Sequence, residues 1–139
     1  MSESSAMRNC ISWVEIPATD LNRAKEFYSA VFGWSFPNFG SSPIDSFMAI
    51  FSHGSTNGCL VKVEAENLLS AALHPDNAEL KRVGVRVTIT VESVDKKMAE
   101  VESKGGKLYL EKTEIPGGMG FVSYFTDTEG NVMGLWSKE

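Results

Sequence analysis

The chain reads as an α+β protein built from two tandem β-α-β-β-β modules, and three observations carry that reading. A strand, a capped helix and a stopping glycine occur in one order twice, at an offset of 73 residues. Each copy is followed by three further strand-like stretches bounded by turn residues. The opening strand of the second copy alternates strictly, with Val85, Val87, Ile89 and Val91 on one side and Arg86, Thr88 and Thr90 on the other.

Residues 1–9 are polar and aperiodic and read as a frayed leader before a single domain, 10–139. Ile11 to Ile16 forms the first strand and Pro17 is expected to stop it. Asp20 then caps a helix, with Thr19 as the competing cap, and Leu21, Ala24, Phe27, Tyr28 and Val31 recur at helical spacing. Gly33 ends the helix, because a residue free to take positive φ suits that position. In the second copy Val85 to Val91 is the strand and Ser93 the cap. Val94, Met98 and Val101 form the stripe, and Gly105-Gly106 the stop. The later strands are expected at 34–39, 47–52 and 58–63 in module one (10–64), and at 107–110, 121–126 and 131–136 in module two (83–139). A polar, helical-looking connection, 65–82, joins them.

A four-stranded sheet with one helix covers only one of its faces. The apolar side of each opening strand must pack on its helix: Val14 and Ile16 in the first, Val85 to Val91 in the second. The other side, with Ile11, Trp13 and Glu15 in one module and Arg86, Thr88 and Thr90 in the other, faces the concavity between modules. A concave surface is where small-molecule chemistry is expected.

Composition limits the function. With 139 residues the chain can bury about two-thirds of the surface it exposes when unfolded, so it needs no metal or disulfide to fold. Hydrophobic residues make up 42% and charged residues 22%, with no long apolar run and no signal-peptide pattern, which points to the cytoplasm and away from a membrane. Eighteen acidic against thirteen basic residues give a net charge of -5, and the cations are scattered, so a nucleic-acid partner is not expected. Cys10 and Cys59 stand alone, without C-x-x-C spacing, and read as incidental or buried thiols.

Two segments, "WVEIPATDLNRAKEFYSAVFGW" (13–34) and "TDTEGNVMGLW" (126–136), closely resemble the glyoxalase / bleomycin-resistance / extradiol-dioxygenase superfamily, also called vicinal oxygen chelate proteins. The resemblance implies a cup-like mixed sheet made by paired modules, and a homodimer. It also implies metal ligands on the first and last strand of each module. Carried over residue by residue, those positions fall on Trp13, Arg86 and Gly134, with the fourth at Cys59 or Leu60. None is a histidine or a carboxylate.

No metal or other cofactor is therefore expected, the disfavoured alternative being a divalent metal at a rebuilt site of Glu15, Cys59 and a histidine. A divalent metal needs three or four converging N, O or S ligands. His53, before Gly54 in a polar turn, and His74, in the connection, read as exposed loop residues. The substrate-binding candidates are Trp13, Arg86, Thr88, Gly134 and Trp136, with Glu15 as the catalytic candidate. The two tryptophans offer flat apolar walls for a planar ligand, or else belong to the core. Gly134 leaves room for a ligand, or for a ring such as Trp13 or Trp136, unless it only permits close strand packing. Arg86 is costly to bury without a carboxylate or a ligand anion. Glu15 either pairs with it or stays free as a general base. "PGGMG" (116–120) has the glycine density of a lid, and in the family the corresponding loop borders the cup mouth. It lacks the Gly-Lys-Ser/Thr ending of a phosphate loop, so nucleotides are rejected. Two functions follow: a protein that binds a small aromatic or carbonyl-bearing molecule without metal, or a glyoxalase-like lyase or isomerase with an atypical or absent metal site.

Overall fold

The computed structural model describes residues 9, 11–37, 46–64 and 86–139. The expected leader, Cys10, His74, Val85 and the connection 65–82 lie outside the described residues, Asn9 excepted.

Module one opens with β1 (Val14–Ala18), followed by α1 (Leu21–Phe32), β2 (Met48–His53) and β3 (Thr56–Lys62). Module two repeats the order with β4 (Thr88–Thr90), α2 (Val94–Ser103), β5 (Lys107–Glu114), β6 (Phe121–Thr126) and β7 (Val132–Ser137). The sheets run β1-β3-β2 and β4-β7-β6-β5. In each the opening strand pairs in parallel with the last strand, Glu15 beside Cys59 and Thr88 beside Gly134, and the remaining pairs are antiparallel.

The helix ends follow the expected chemistry. Asp20 is the cap of α1, accepting from the Arg23 N–H at 3.1 Å, and Ser93 does the same for α2 through the Lys96 N–H at 3.2 Å. Gly33 takes φ 71° and donates to Ser29 O. At the second stop Lys104 is the final cap residue, and Gly105 behind it takes φ 101°.

Three strand expectations are corrected. Pro17 lies inside β1 rather than ending it. Among the described residues β1 is an edge strand, so the missing N–H breaks no ladder. Residues 34–37 are irregular rather than a strand, and 38–39 lie outside the described residues. Trp34 is buried there, stacked between Tyr28 at 4.8 Å and Phe51 at 4.3 Å, so ring packing decides this segment's path. β5 extends to Glu114, with register shifts after Leu108 and Leu110.

The apolar sides of both sheets and both helices join in one core that includes Ile16, Phe27, Phe51, Leu60, Val101, Phe125 and Leu135. Phe125 of module two lies 6.1 Å from Phe27 and 6.0 Å from Phe32, both on α1. The modules thus pack on each other within one chain, and the faces away from this core are left to carry function.

Candidate functional site

Strand alternation decides which side chains reach the open faces. In module two Val87, Ile89 and Val91 pack against the core, so Arg86, Thr88 and Thr90 turn the other way. Register extends that face across the sheet, from Thr88 to Gly134 to Tyr124 and from Thr90 to Trp136 to Val122. In module one Ile16 and Leu60 are core, so Glu15, Cys59 and Ile50 share the opposite face, with Trp13 two residues before Glu15.

Arg86 is half-buried, and its guanidinium lies over the Tyr124 ring, 5.0 Å from the centroid. Such a stack fixes a cation without neutralising it. Among the described residues Arg86 forms no ion pair, so the pairing with Glu15, one of the two expected possibilities, is not made. Glu15 is exposed beside Cys59. The Cys59 thiol is buried and its pKa is raised, by burial first and by the Glu15 charge second, while a hydrogen bond from the Trp13 indole pulls the other way. Trp13 itself remains 44% exposed.

Gly134 faces the same side as Arg86, but the space above it is taken. A Cβ built there would meet Thr88 Oγ1 at 2.7 Å and Tyr124 Cε1 at 3.2 Å. The expected room for a ligand, for Trp13 or for Trp136 is corrected: Thr88 and Tyr124 close it, and the glycine permits tight packing between neighbouring strands. Trp136 is held from above, its Nε1–H donating to Met119 O at 2.9 Å. Gly120, at φ 94°, leaves no space for a side chain against the Trp136 ring, where a Cβ would come within 2.9 Å. The 116–120 loop therefore lies on Trp136.

The structure thus brings Arg86, Thr88, Gly134 and Trp136 onto one face of module two and places Trp13 and Glu15 around Cys59 in module one. Tyr124 was missed by sequence reasoning, although its alternation with Ser123 and Phe125 carried the signal. The positions that the resemblance assigns to metal ligands supply an indole, a guanidinium, a hydrogen and, at the fourth, the Cys59 thiol or the Leu60 side chain. Among the described residues no three His, Cys, Asp or Glu side chains gather closely enough to hold a metal ion. His53 is exposed at the end of β2.

A second polar cluster was read from sequence only as turn chemistry. The β6–β7 turn inserts Glu129 into the β1–α1 junction. Its Oε1 accepts from Thr19 N at 2.8 Å, Asp20 N at 2.9 Å, Thr19 Oγ1 at 3.0 Å and Arg23 Nη2 at 3.0 Å, and Oε2 accepts from Arg23 Nε at 2.7 Å. Burial alone would raise the Glu129 pKa, but the bonds from Arg23, Asp20 and Thr19 outweigh it and hold it at about 2. Beside it buried Asp127 accepts from Tyr28 Oη at 2.7 Å and from Asn131 Nδ2 at 3.0 Å, and Asn131 also donates to Pro17 O at 2.7 Å. Burial raises the Asp127 pKa despite these bonds. All four carboxylate oxygens of Glu129 and Asp127 are engaged by protein donors, so the cluster serves as a clasp between modules.

Paired β-α-β-β-β units with a helix-side core and two open sheet faces define a fold shared with solved structures. A FosX fosfomycin-resistance protein variant from Listeria monocytogenes, complexed with Mn(II) and 1S,2S-dihydroxypropylphosphonic acid, superposes with a TM-score of 0.69 at 17% identity, covering 94% of this chain and 91% of that one. A family model described as bleomycin resistance protein-like N-terminal matches residues 11–41. A glyoxylase-like domain-containing protein of Didymella fabae is 29% identical over 133 residues, spanning 92% of this chain and 93% of the relative. A putative glyoxylase of Mycobacterium tuberculosis is 29% identical over 126 residues, covering 90% of this chain but 44% of the relative, so the chain spans less than half of that protein. The chain shares the fold of a solved glyoxalase/bleomycin resistance protein/dioxygenase family enzyme from Burkholderia phytofirmans, with a TM-score of 0.65 at 20% identity over 92% of this chain and 98% of that one. No helix among its described residues is long and apolar enough to cross a membrane.

Proposed function

We propose that the protein binds a small planar molecule bearing a carbonyl or anionic group, without a metal, on the open face of module two. Arg86 supplies the positive charge and Thr88 a hydroxyl, while the Tyr124 and Trp136 rings supply flat surface. Trp13 is placed to contribute a further wall from module one. The observation that carries this reading is the Arg86–Tyr124 stack, which fixes a guanidinium on an open face with no carboxylate partner among the described residues. A guanidinium so placed recognises two adjacent acceptor oxygens through parallel N–H groups. The chemistry of the donors at the family's metal positions supports the metal-free part. The protein is proposed to act as a cytoplasmic homodimer, as the family resemblance implies.

One observation favours a second reading. Glu15 is an exposed carboxylate on an open-face strand, within the field of Cys59 and next to Trp13 in the alternation. In a glyoxalase-related lyase or isomerase it would act as general base on a small carbonyl or thiol conjugate.

Elemental analysis of the purified protein, tryptophan fluorescence titrated with aromatic carbonyl and carboxylate compounds, and hemithioacetal isomerisation assayed with added zinc, nickel and iron separate the two. Metal-free protein that saturates with such a compound and turns nothing over supports binding. Stoichiometric metal with turnover would falsify it.

A further inference from the structure

The place that a side chain at Gly134 would take is occupied by its neighbours. Register sets Thr88, Gly134 and Tyr124 side by side across β4, β7 and β6 on the open face of module two. The point where a Gly134 Cβ would sit lies 2.7 Å from Thr88 Oγ1 and 3.2 Å from Tyr124 Cε1. The Tyr124 ring therefore leans from β6 over β7, toward Thr88. Cε1 is bonded to the carbon that carries the hydroxyl, so the hydroxyl belongs to the far end of the ring, on the Thr88 side. Arg86, two residues before Thr88 on the same face, lies over that ring at 5.0 Å from its centroid.

Three donor groups thus border one spot: the Arg86 guanidinium, the Thr88 hydroxyl and the Tyr124 hydroxyl. Among the described residues Arg86 forms no ion pair, and neither hydroxyl has a hydrogen-bond partner. A guanidinium takes both oxygens of one carboxylate through parallel N–H groups, which leaves the hydroxyls for a further acceptor. A phenol is protonated at neutral pH and donates to a neutral carbonyl oxygen. Trp136, two residues along β7 on the same face, offers flat surface beyond them.

Resting on the reading of this face as an anion site, we infer that its ligand is a 2-oxo carboxylate with an aromatic substituent, and that Tyr124 selects it. Arg86 holds the carboxylate. The Tyr124 hydroxyl donates to the adjacent 2-oxo oxygen, with the Thr88 hydroxyl alongside, and the substituent lies against Trp136. Stacking keeps guanidinium and phenol together, so the two acceptors must be neighbours on the ligand. A carboxylate alone satisfies Arg86 and leaves the phenol without an acceptor, and a site built to hydrogen-bond an oxygen discriminates against a ligand that lacks it.

The test is isothermal titration calorimetry of the whole chain with benzoylformate and with phenylacetate, which has a methylene in place of the 2-oxo group. The parent protein is expected to bind benzoylformate about fivefold more tightly, the scale of one hydrogen bond. Tyr124→Phe keeps the ring under Arg86, and it should erase that preference while binding phenylacetate as the parent does. Arg86→Met should lose both compounds. Equal affinities in the parent, or a Tyr124→Phe that keeps the preference or weakens both compounds alike, overturn the role of Tyr124 and leave the anion site standing. If neither compound binds, or if Arg86→Met binds both like the parent, the anion site falls and this inference with it.

Discussion

Glu129 and Arg23, separated by 106 positions in sequence, meet at 2.7 Å with the glutamate side chain fully buried and the arginine half-exposed. This contact ties the last hairpin of module two to the first helix of module one. It sits in a lattice of backbone donors that leaves neither carboxylate oxygen unpaired.

The clasp predicts an acid-sensitive contribution to stability. The Glu129 pKa is depressed in the fold, from 4.5 to about 2, so its contribution is complete above the unfolded value and is lost as pH falls through that interval. Glu129→Gln is expected to cost about 3 kcal/mol at pH 7 and much less at pH 2, measured by urea unfolding at both. Asp127, whose raised pKa acts in the opposite direction, is present in both proteins and cancels in the comparison. An equal deficit at both pH values would sink the assignment.

Tyr28→Phe removes the hydroxyl that donates to buried Asp127 at 2.7 Å while leaving the ring stacked on Trp34. The expected loss is about 1–3 kcal/mol, because a buried acceptor loses a donor. Thermal unfolding measures it, and the Trp34 fluorescence spectrum should stay unchanged.

Gly134→Ala places a methyl 2.7 Å from Thr88 Oγ1, between two paired strands. It is expected to destabilise by about 1–3 kcal/mol. Adding Thr88→Ala, which removes the closest atom, should restore part of that loss. A double variant no better than the single one would show that the backbone, rather than the hydroxyl, sets the constraint.

Arg86→Met is expected to leave the unfolding free energy within about 0.5 kcal/mol of the parent, since its described contact is the Tyr124 ring and no ion pair among the described residues is broken. It should abolish detectable binding of anionic planar compounds, read by fluorescence titration. Undiminished affinity would remove Arg86 from the site.

Much of the fold was legible because its signals are local. Asp20, Gly33, Ser93 and Gly105 mark helix ends through their own backbone and side-chain chemistry, and the alternation from Val87 to Val91 fixes which side chains face the core. Pro17 misled because a proline ends a strand only where its N–H is needed, and whether a strand is at an edge depends on pairing. The segment after Gly33 misled because Trp34 is drawn into the core by Tyr28 and Phe51, rings from elements far from one another in sequence.

The sequence alone determined the paired modules, the shared open face of Arg86, Thr88, Gly134 and Trp136, and the residue types at the positions that the resemblance assigns to metal ligands, since periodicity and residue identity suffice for these. Tertiary structure decided what fills the space at Gly134, that Arg86 lies on Tyr124 and not against Glu15, and that Glu129 is a clasp between the modules. Those depend on distances between strands and turns remote in the chain, and no local propensity encodes such distances.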